Sequence, residues 1–138
     1  MSKITLHGRS VHGGVGEGEA LVTNEGVAFC AGINPATGEI TERTHELNGQ
    51  NIAGKVLVFP FGKGSSAFSK AAYALFLSGK APAAWLIRDI NPQTAMASVV
   101  MRTPAVTELD QDPIKVIRTG DRVRVDGDSG TVEIVRPD

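Results

Sequence analysis

The run Lys55-Val56-Leu57-Val58-Phe59-Pro60 is apolar from Val56 to Phe59, bounded by Gly54 and Pro60. An alternating strand covers a core with one face only. An unbroken run has to bury both faces, so it predicts an interior strand with material packed on either side. A short glycine loop, Gly62-Lys63-Gly64-Ser65-Ser66, follows. Beyond it Phe68, Ala71, Ala72, Leu75 and Phe76 recur at helical spacing and form one apolar face, with Gly79 placed to stop the helix. Ser65 or Ser66 is expected to cap its start. Ala83-Ala84-Trp85-Leu86-Ile87 reads as a second buried strand. Residues 55 to 87 therefore make a β-loop-α-β unit whose crossover is expected to be right-handed.

The flanking segments supply strands. Ile4 and Leu6 alternate with polar neighbours, and Glu19 to Thr23 follows a cluster of Gly13, Gly14, Gly16 and Gly18, so the opening reads as two strands around a tight loop. Val27 to Ala31 is a candidate third strand, Asn34-Pro35-Ala36-Thr37-Gly38 a turn, and polar residues 39 to 53 a surface excursion. Asn91-Pro92 opens a second helix with Ala95, Met96, Val99 and Val100 on its packed side, and Pro104-Ala105-Val106 is a short strand. Residues 121–126 and 131–135 alternate around Asp126-Gly127-Asp128-Ser129-Gly130, the pattern of a terminal hairpin. With 16 glycines and 5% aromatics the composition favours a β-rich scaffold with many turns.

Several function classes are excluded or disfavoured. The 138 residues suit one domain, residues 1–138, with 14 basic and 15 acidic side chains and no long block of one sign. That leaves no electrostatic footprint for nucleic acid or an anionic membrane. Cys30 is the single cysteine, so the chain cannot form an internal disulfide or hold a thiolate-ligated cluster by itself. No segment resembles a signal peptide or a membrane span, and a reducing cytoplasm is the expected location. Three scattered histidines lack metal-site spacing, and no metal is expected on this chain.

The place that can carry chemistry is the handover from strand to helix. Glycines there let a ligand approach the backbone, and the first helical amides lack internal acceptors, so together with the macrodipole they favour an anion. A serine in that position can act as a base, since the same amides and a cation such as Lys63 stabilise its alkoxide. A plain loop with an N-cap looks the same. The spacing matches neither a Walker A loop nor a dinucleotide fingerprint, because Lys63 is followed by Gly64 and position 57 is Leu57.

Six blocks then occur in one order: Glu17 to Val22, Gly32 to Gly38, Gly54 to Pro60, Gly62 to Ser66, Lys80 to Ala84 and Gly120 to Asp126. In this order, over nearly the whole chain, the sequence resembles the small subunits of the aconitase X family, and its Gly-Ser-Ser segment is similar to the serine loop of aconitases proper. The resemblance implies an α/β fold, a three-layer swivelling β/β/α domain, β-rich, closing over a large subunit that carries an iron or iron–sulfur centre. It implies a hydro-lyase, inactive as the isolated subunit, in which Ser65 is catalytic and removes the proton next to a substrate carboxylate. Iron in the partner would act as Lewis acid on the departing hydroxyl. Ser66 and the amides around Gly64 would hold the carboxylate, and Lys63 would favour the ionised forms. The chain departs from aconitases proper at Ala67, where they carry an arginine, so the anion clamp is expected from Lys63 or from the partner. Of the family's small hydroxy-acid substrates, cis-3-hydroxy-L-proline is expected because nothing else in the chain suggests a dedicated phosphate pocket. 5-Phosphomevalonate is the alternative. The rivals from other classes are a non-catalytic swivelling module and a stand-alone anion-binding protein.

Arg88, just past the second buried strand, shares the edge of Ser65 if the two strands are parallel, which makes it a candidate for substrate or interface contact. A solvated arginine is the plainer account. His12 reads as a solvated histidine of the glycine loop, and His7 and His45 offer less. Cys30, in an apolar stretch, is expected buried and inert, and Trp85 is expected in the core. Asp110 and Asp112 could orient Lys63 or bind a partner, although turn chemistry before Pro113 explains them as well.

Overall fold

The computed structural model describes residues 2–64 and 67–136. Eight strands and three helices occur there: β1 (Ser2–His7), β2 (Arg9–His12), β3 (Val15–Val22), β4 (Val56–Phe59), α1 (Phe68–Leu77), β5 (Ala84–Ile87), α2 (Pro92–Met101), β6 (Ala105–Thr107), α3 (Pro113–Val116), β7 (Arg122–Asp126) and β8 (Thr131–Arg136). The strand order is β1-β8-β7-β3-β4-β5-β6-β2. Its two ends, β1 and β2, are joined in the chain by Gly8 alone, so the sheet folds over into a flattened barrel. The strand β3 makes the opposite corner: Val15 to Glu19 pair antiparallel with β7, and Ala20 to Val22 pair parallel with β4.

Alternation along the central strands builds the three layers. In β4, Val56 and Val58 face one cluster with Leu6, Val123, Val125, Val132 and Ile134, while Leu57 and Phe59 face another with the helices. In β5, Ala84 and Leu86 point one way and Trp85 and Ile87 the other. The runs read as buried on both faces are indeed so, every residue of β4 and β5 being buried. The helix α1 lays Phe68, Ala72 and Leu75 into the outer cluster. It ends as expected at Gly79, whose φ is 70°. Lys80 N–H donates to Leu75 O and Gly79 N–H to Phe76 O, satisfying carbonyls that the last turn leaves open.

Four expectations need correction. The glycine cluster is not simply a tight loop, because Gly16 and Gly18 lie inside β3. A Cβ on Gly16 would stand 2.0 Å from the Ala83 carbonyl oxygen, and one on Gly18 2.6 Å from that of Gly54, so these glycines serve close backbone approach at the barrel corner. Val27 to Ala31 is not a strand, and only a single parallel bridge joins Val27 to Gly62. Residues 39–53 are not merely a surface excursion, since Ile40, Leu47 and Ile52 are buried in the outer cluster. The packed face of α2 is Thr94, Ala97, Ser98 and Met101, with Met96 and Val99 exposed. The reason is polar. The indole N–H of Trp85 needs an acceptor, and Ser98 Oγ supplies it at 2.8 Å while donating to Thr94 O.

Candidate functional site

Where β4 ends, the chain is pinned to its neighbours. Arg88 N–H donates to Phe59 O and Asp89 N–H to Pro60 O, which extends the parallel pairing of β4 with β5 by two bonds. On the other side Val27 N–H donates to Phe61 O and Lys63 N–H donates to Val27 O, at 3.0 and 2.9 Å. The residues Phe61 to Lys63 are therefore held beside Val27 by one isolated parallel bridge just past the end of β4. Gly62 has no room for a side chain, because a Cβ would lie 2.5 Å from Thr94 Cγ2 and 3.0 Å from the Phe68 ring. Gly64 abuts Gln93, whose amide nitrogen would be 3.1 Å from an added Cβ. Gly62 thus brings bare backbone against the helical layer, while Gly64 is exposed beside the Gln93 side chain.

Ser65 and Ser66, the expected base and carboxylate holder, lie outside the described residues, and so does the expectation that one of them caps α1. The residue at the N-cap position is Ala67, and α1 starts at Phe68. The Phe68 ring stacks on Phe29 with centroids 4.6 Å apart and planes 9° off parallel. That contact fixes the first turn of the helix against the segment from Val27 to Ile33.

Two charged groups flank the loop. Lys63 Nζ donates to Glu42 Oε1 at 2.6 Å, and both side chains are part-exposed. Glu42 comes from the segment read as a surface excursion, and nothing in the sequence pairs it with Lys63. Arg88 lies past the end of β5, and β4 and β5 run parallel, so it occupies the same sheet edge as the loop. Its guanidinium donates twice to Asp89 Oδ2, at 3.1 and 3.0 Å, and stands 3.7 Å from Asp112 Oδ2. The hydrogen bond to Asp89 is the main reason its pKa is raised still further, so it is a permanent cation. Asp112 caps α3 through Ile114 N–H, and Asp110 accepts from His7 N–H. Local turn chemistry thus accounts for Asp112, which also faces Arg88 and not Lys63, whereas Asp110 is held by a long-range bond to the end of β1.

A scaffold behind the loop was not legible in the sequence. Glu46 accepts from Asn24 N–H at 2.8 Å and from the Thr23 hydroxyl, and these bonds, the Thr23 one foremost, lower its pKa. His45 is buried, not a surface histidine. Its Nδ1 accepts from Leu47 N–H, so Nε2 carries the proton and donates to Gly26 O at 3.1 Å. This network holds Gly26, against which Phe61 packs, and Val27, which pairs with the loop. His12 ends β2 and is part-buried, its Nδ1 3.1 Å from Gly13 O.

Cys30 is exposed, contrary to expectation. Ala31, at φ 63°, turns the chain so that Phe29 and Ile33 point inward and Cys30 outward. It lines an apolar cleft of about 350 Å³ with Phe29, Ile33, Lys70, Ala71 and Ala67. Among the described residues no group of three or more His, Cys, Asp or Glu side chains is arranged to hold a metal ion. Nor is any helix among them long and apolar enough to cross a membrane.

A closed sheet in two layers, a helical layer outside it and a glycine segment, Gly62 to Gly64, following the end of β4 define a swivelling domain of the aconitase small-domain class. The aconitase X swivel domain matches residues 5–134, and the chain belongs to that family. It is 39% identical over 129 residues to the phosphomevalonate dehydratase small subunit of Methanocella arvoryzae, covering 94% of this chain and 98% of that one. To the protein of the same name from Thermococcus kodakarensis it is 41% identical over 130 residues, covering 94% and 96%. The crystal structure of Thermococcus kodakaraensis aconitase X in its holo-form superposes with a TM-score of 0.90 at 40% identity, covering 96% of this chain and 99% of that one. The expected family and three-layer fold are therefore correct. The relatives are dehydratase small subunits, and a large-subunit partner is implied by that name.

Proposed function

We propose that this chain is the small subunit of a heteromeric phosphomevalonate dehydratase and supplies the base, Ser65. The observation that carries the substrate is the near full-length similarity to small subunits bearing that name. The cis-3-hydroxy-L-proline expectation finds no support among these relatives. It rested on the lack of a phosphate pocket in this chain, and a partner that makes most substrate contacts can supply one.

In this reading the alkoxide of Ser65 takes the proton from the carbon next to the carboxylate, the carbon–hydrogen electrons become the new double bond, and the hydroxyl leaves the adjacent carbon. A free serine is a feeble base, so the site has to be dry and lined with amides before the step runs. The backbone around Gly64 and Ser66 would receive the carboxylate, with the N-terminus of α1 favouring its charge. Lys63, kept beside the loop by Glu42, would add positive potential, and Arg88 on the same edge would contact substrate or partner. Among the described residues no cluster of side chains fits an iron or iron–sulfur centre, and in this reading such a centre would belong to the large subunit and would polarise the departing hydroxyl. Water is excluded only when the two bodies close, so the isolated subunit should be inactive.

The test mixes the chain with an aconitase X large subunit and follows dehydration of 5-phosphomevalonate and of cis-3-hydroxy-L-proline. Turnover of the first and not the second is expected, and Ser65→Ala should abolish it with assembly intact. Turnover of the second alone would overturn the substrate. An unchanged rate in Ser65→Ala would replace the catalytic reading by a swivelling module.

A further inference from the structure

Asn91 makes two sets of bonds that no other common N-cap residue could make together. Its Oδ1 accepts from Thr94 N–H at 3.0 Å, closing a capping box at the start of α2, and the Thr94 hydroxyl also lies within hydrogen-bond distance of Oδ1. With Oδ1 so occupied, the other terminal atom is the amide nitrogen, and Nδ2 donates to Gly62 O at 2.9 Å. Aspartate and serine cap helices as well as asparagine, but aspartate presents only acceptors and serine is too short to span both. The choice of asparagine is therefore explained by Gly62 and not by the helix.

Gly62 stands three residues before Ser65. Its carbonyl is tied to Asn91, its bridge partner is Val27, and its Cα is confined between the Thr94 methyl and the Phe68 ring. Both helices and the segment at Val27 thereby meet on one residue at the root of the loop. Thr94 serves twice, since it is fully buried, completes the capping box and forms one wall of the Gly62 slot. We infer that Asn91 is the positioning residue of the serine loop, coupling the N-terminus of α2 to the backbone from which Ser65 is presented. The inference rests on the proposed role of Ser65. Misplacing a catalytic group by about 1 Å can cost on the order of a hundredfold in rate, so a single bond at the root of the loop is enough to matter.

The test uses the complex of both subunits. Asn91→Asp keeps the helix cap and turns the donor facing Gly62 O into an acceptor, and Asn91→Ser keeps the cap and leaves the carbonyl unpaired. Both are expected to stay folded and assembled, with Tm lowered by the few degrees that the lost Gly62 bond costs. The value of kcat should fall about tenfold to a hundredfold in Asn91→Asp and less in Asn91→Ser, with KM moving little. In the full-length small subunit labelled with 15N, the amide signals of Gly62, Lys63 and Gly64 should shift in Asn91→Asp. Parent kcat in both variants, while Ser65→Ala is inactive, would overturn the inference and leave the serine reading standing. An active Ser65→Ala would defeat that reading instead, and the amide signals would then decide the positioning claim alone: unmoved, they overturn it. A loss of kcat that only follows a loss of folded, assembled complex in both variants would also overturn it, reducing Asn91 to a helix cap.

Discussion

Asp121 is almost fully buried just before β7, and Arg136 meets it with two nitrogens, at 3.1 and 2.8 Å. Burial pushes the carboxyl pKa up, but the hydrogen bonds from Arg136 and from Arg118 N–H outweigh it, and the net shift is downward. A folded pKa below the unfolded one stabilises the fold at pH above the unfolded value, about 3.9, and that contribution is lost as pH falls through the folded pKa. Asp121→Asn should therefore lower Tm by several degrees at pH 7, and the gap from the parent should close as the solution is acidified below the carboxylate range, both read by thermal denaturation. At this scale single positions differ in how much the sequence discloses. Trp85 declares itself by its apolar neighbours, whereas Cys30 has similar neighbours and is exposed, because the left-handed turn at Ala31 decides which side chains point inward.

The two longer helices show when periodicity suffices. The apolar face of α1 is the one that packs, since the layer beneath it asks only for apolar volume. The layer beneath α2 includes an indole N–H, so a serine faces inward and the larger Met96 and Val99 face out. Ser98→Ala would leave that N–H buried without an acceptor, at a cost of about 1–3 kcal/mol. Urea unfolding followed by Trp85 fluorescence should show the lower midpoint. The motif loop belongs to the same scale. Its glycines and its place after a buried strand were readable, but its supports were not, because Glu42, Asn91 and Val27 lie far along the chain and reach it only once the layers have stacked.

Across the whole molecule, the two apolar clusters share the strands β3 to β6, whose alternate residues face opposite layers. Loss of either cluster exposes the other face of the same strands. A single cooperative transition is expected, with Trp85 fluorescence, which reports the outer cluster, and far-ultraviolet circular dichroism giving coincident urea curves. The site lies at one edge of this sheet, where the ends of β4 and β5 present the loop and Arg88 together. The apolar cleft beside Ala67 opens next to the start of α1.

Taken alone, the amino-acid order determined what is written in local pattern: two strands buried on both faces, a helix between them, a terminal hairpin, and a glycine-serine segment at the handover, all in an order shared with one family. These follow from side-chain period and from glycine and proline chemistry, which act over a few residues. Only the tertiary structure decided that Gly16 and Gly18 serve a barrel corner, that residues 39–53 contribute to the core, that His45 is a buried strut, and that Asn91 grips Gly62. Each of these depends on two segments distant in the chain coming within contact, and a hydrogen bond or a steric limit of a few ångströms is specified by the packed layers that bring its two ends together.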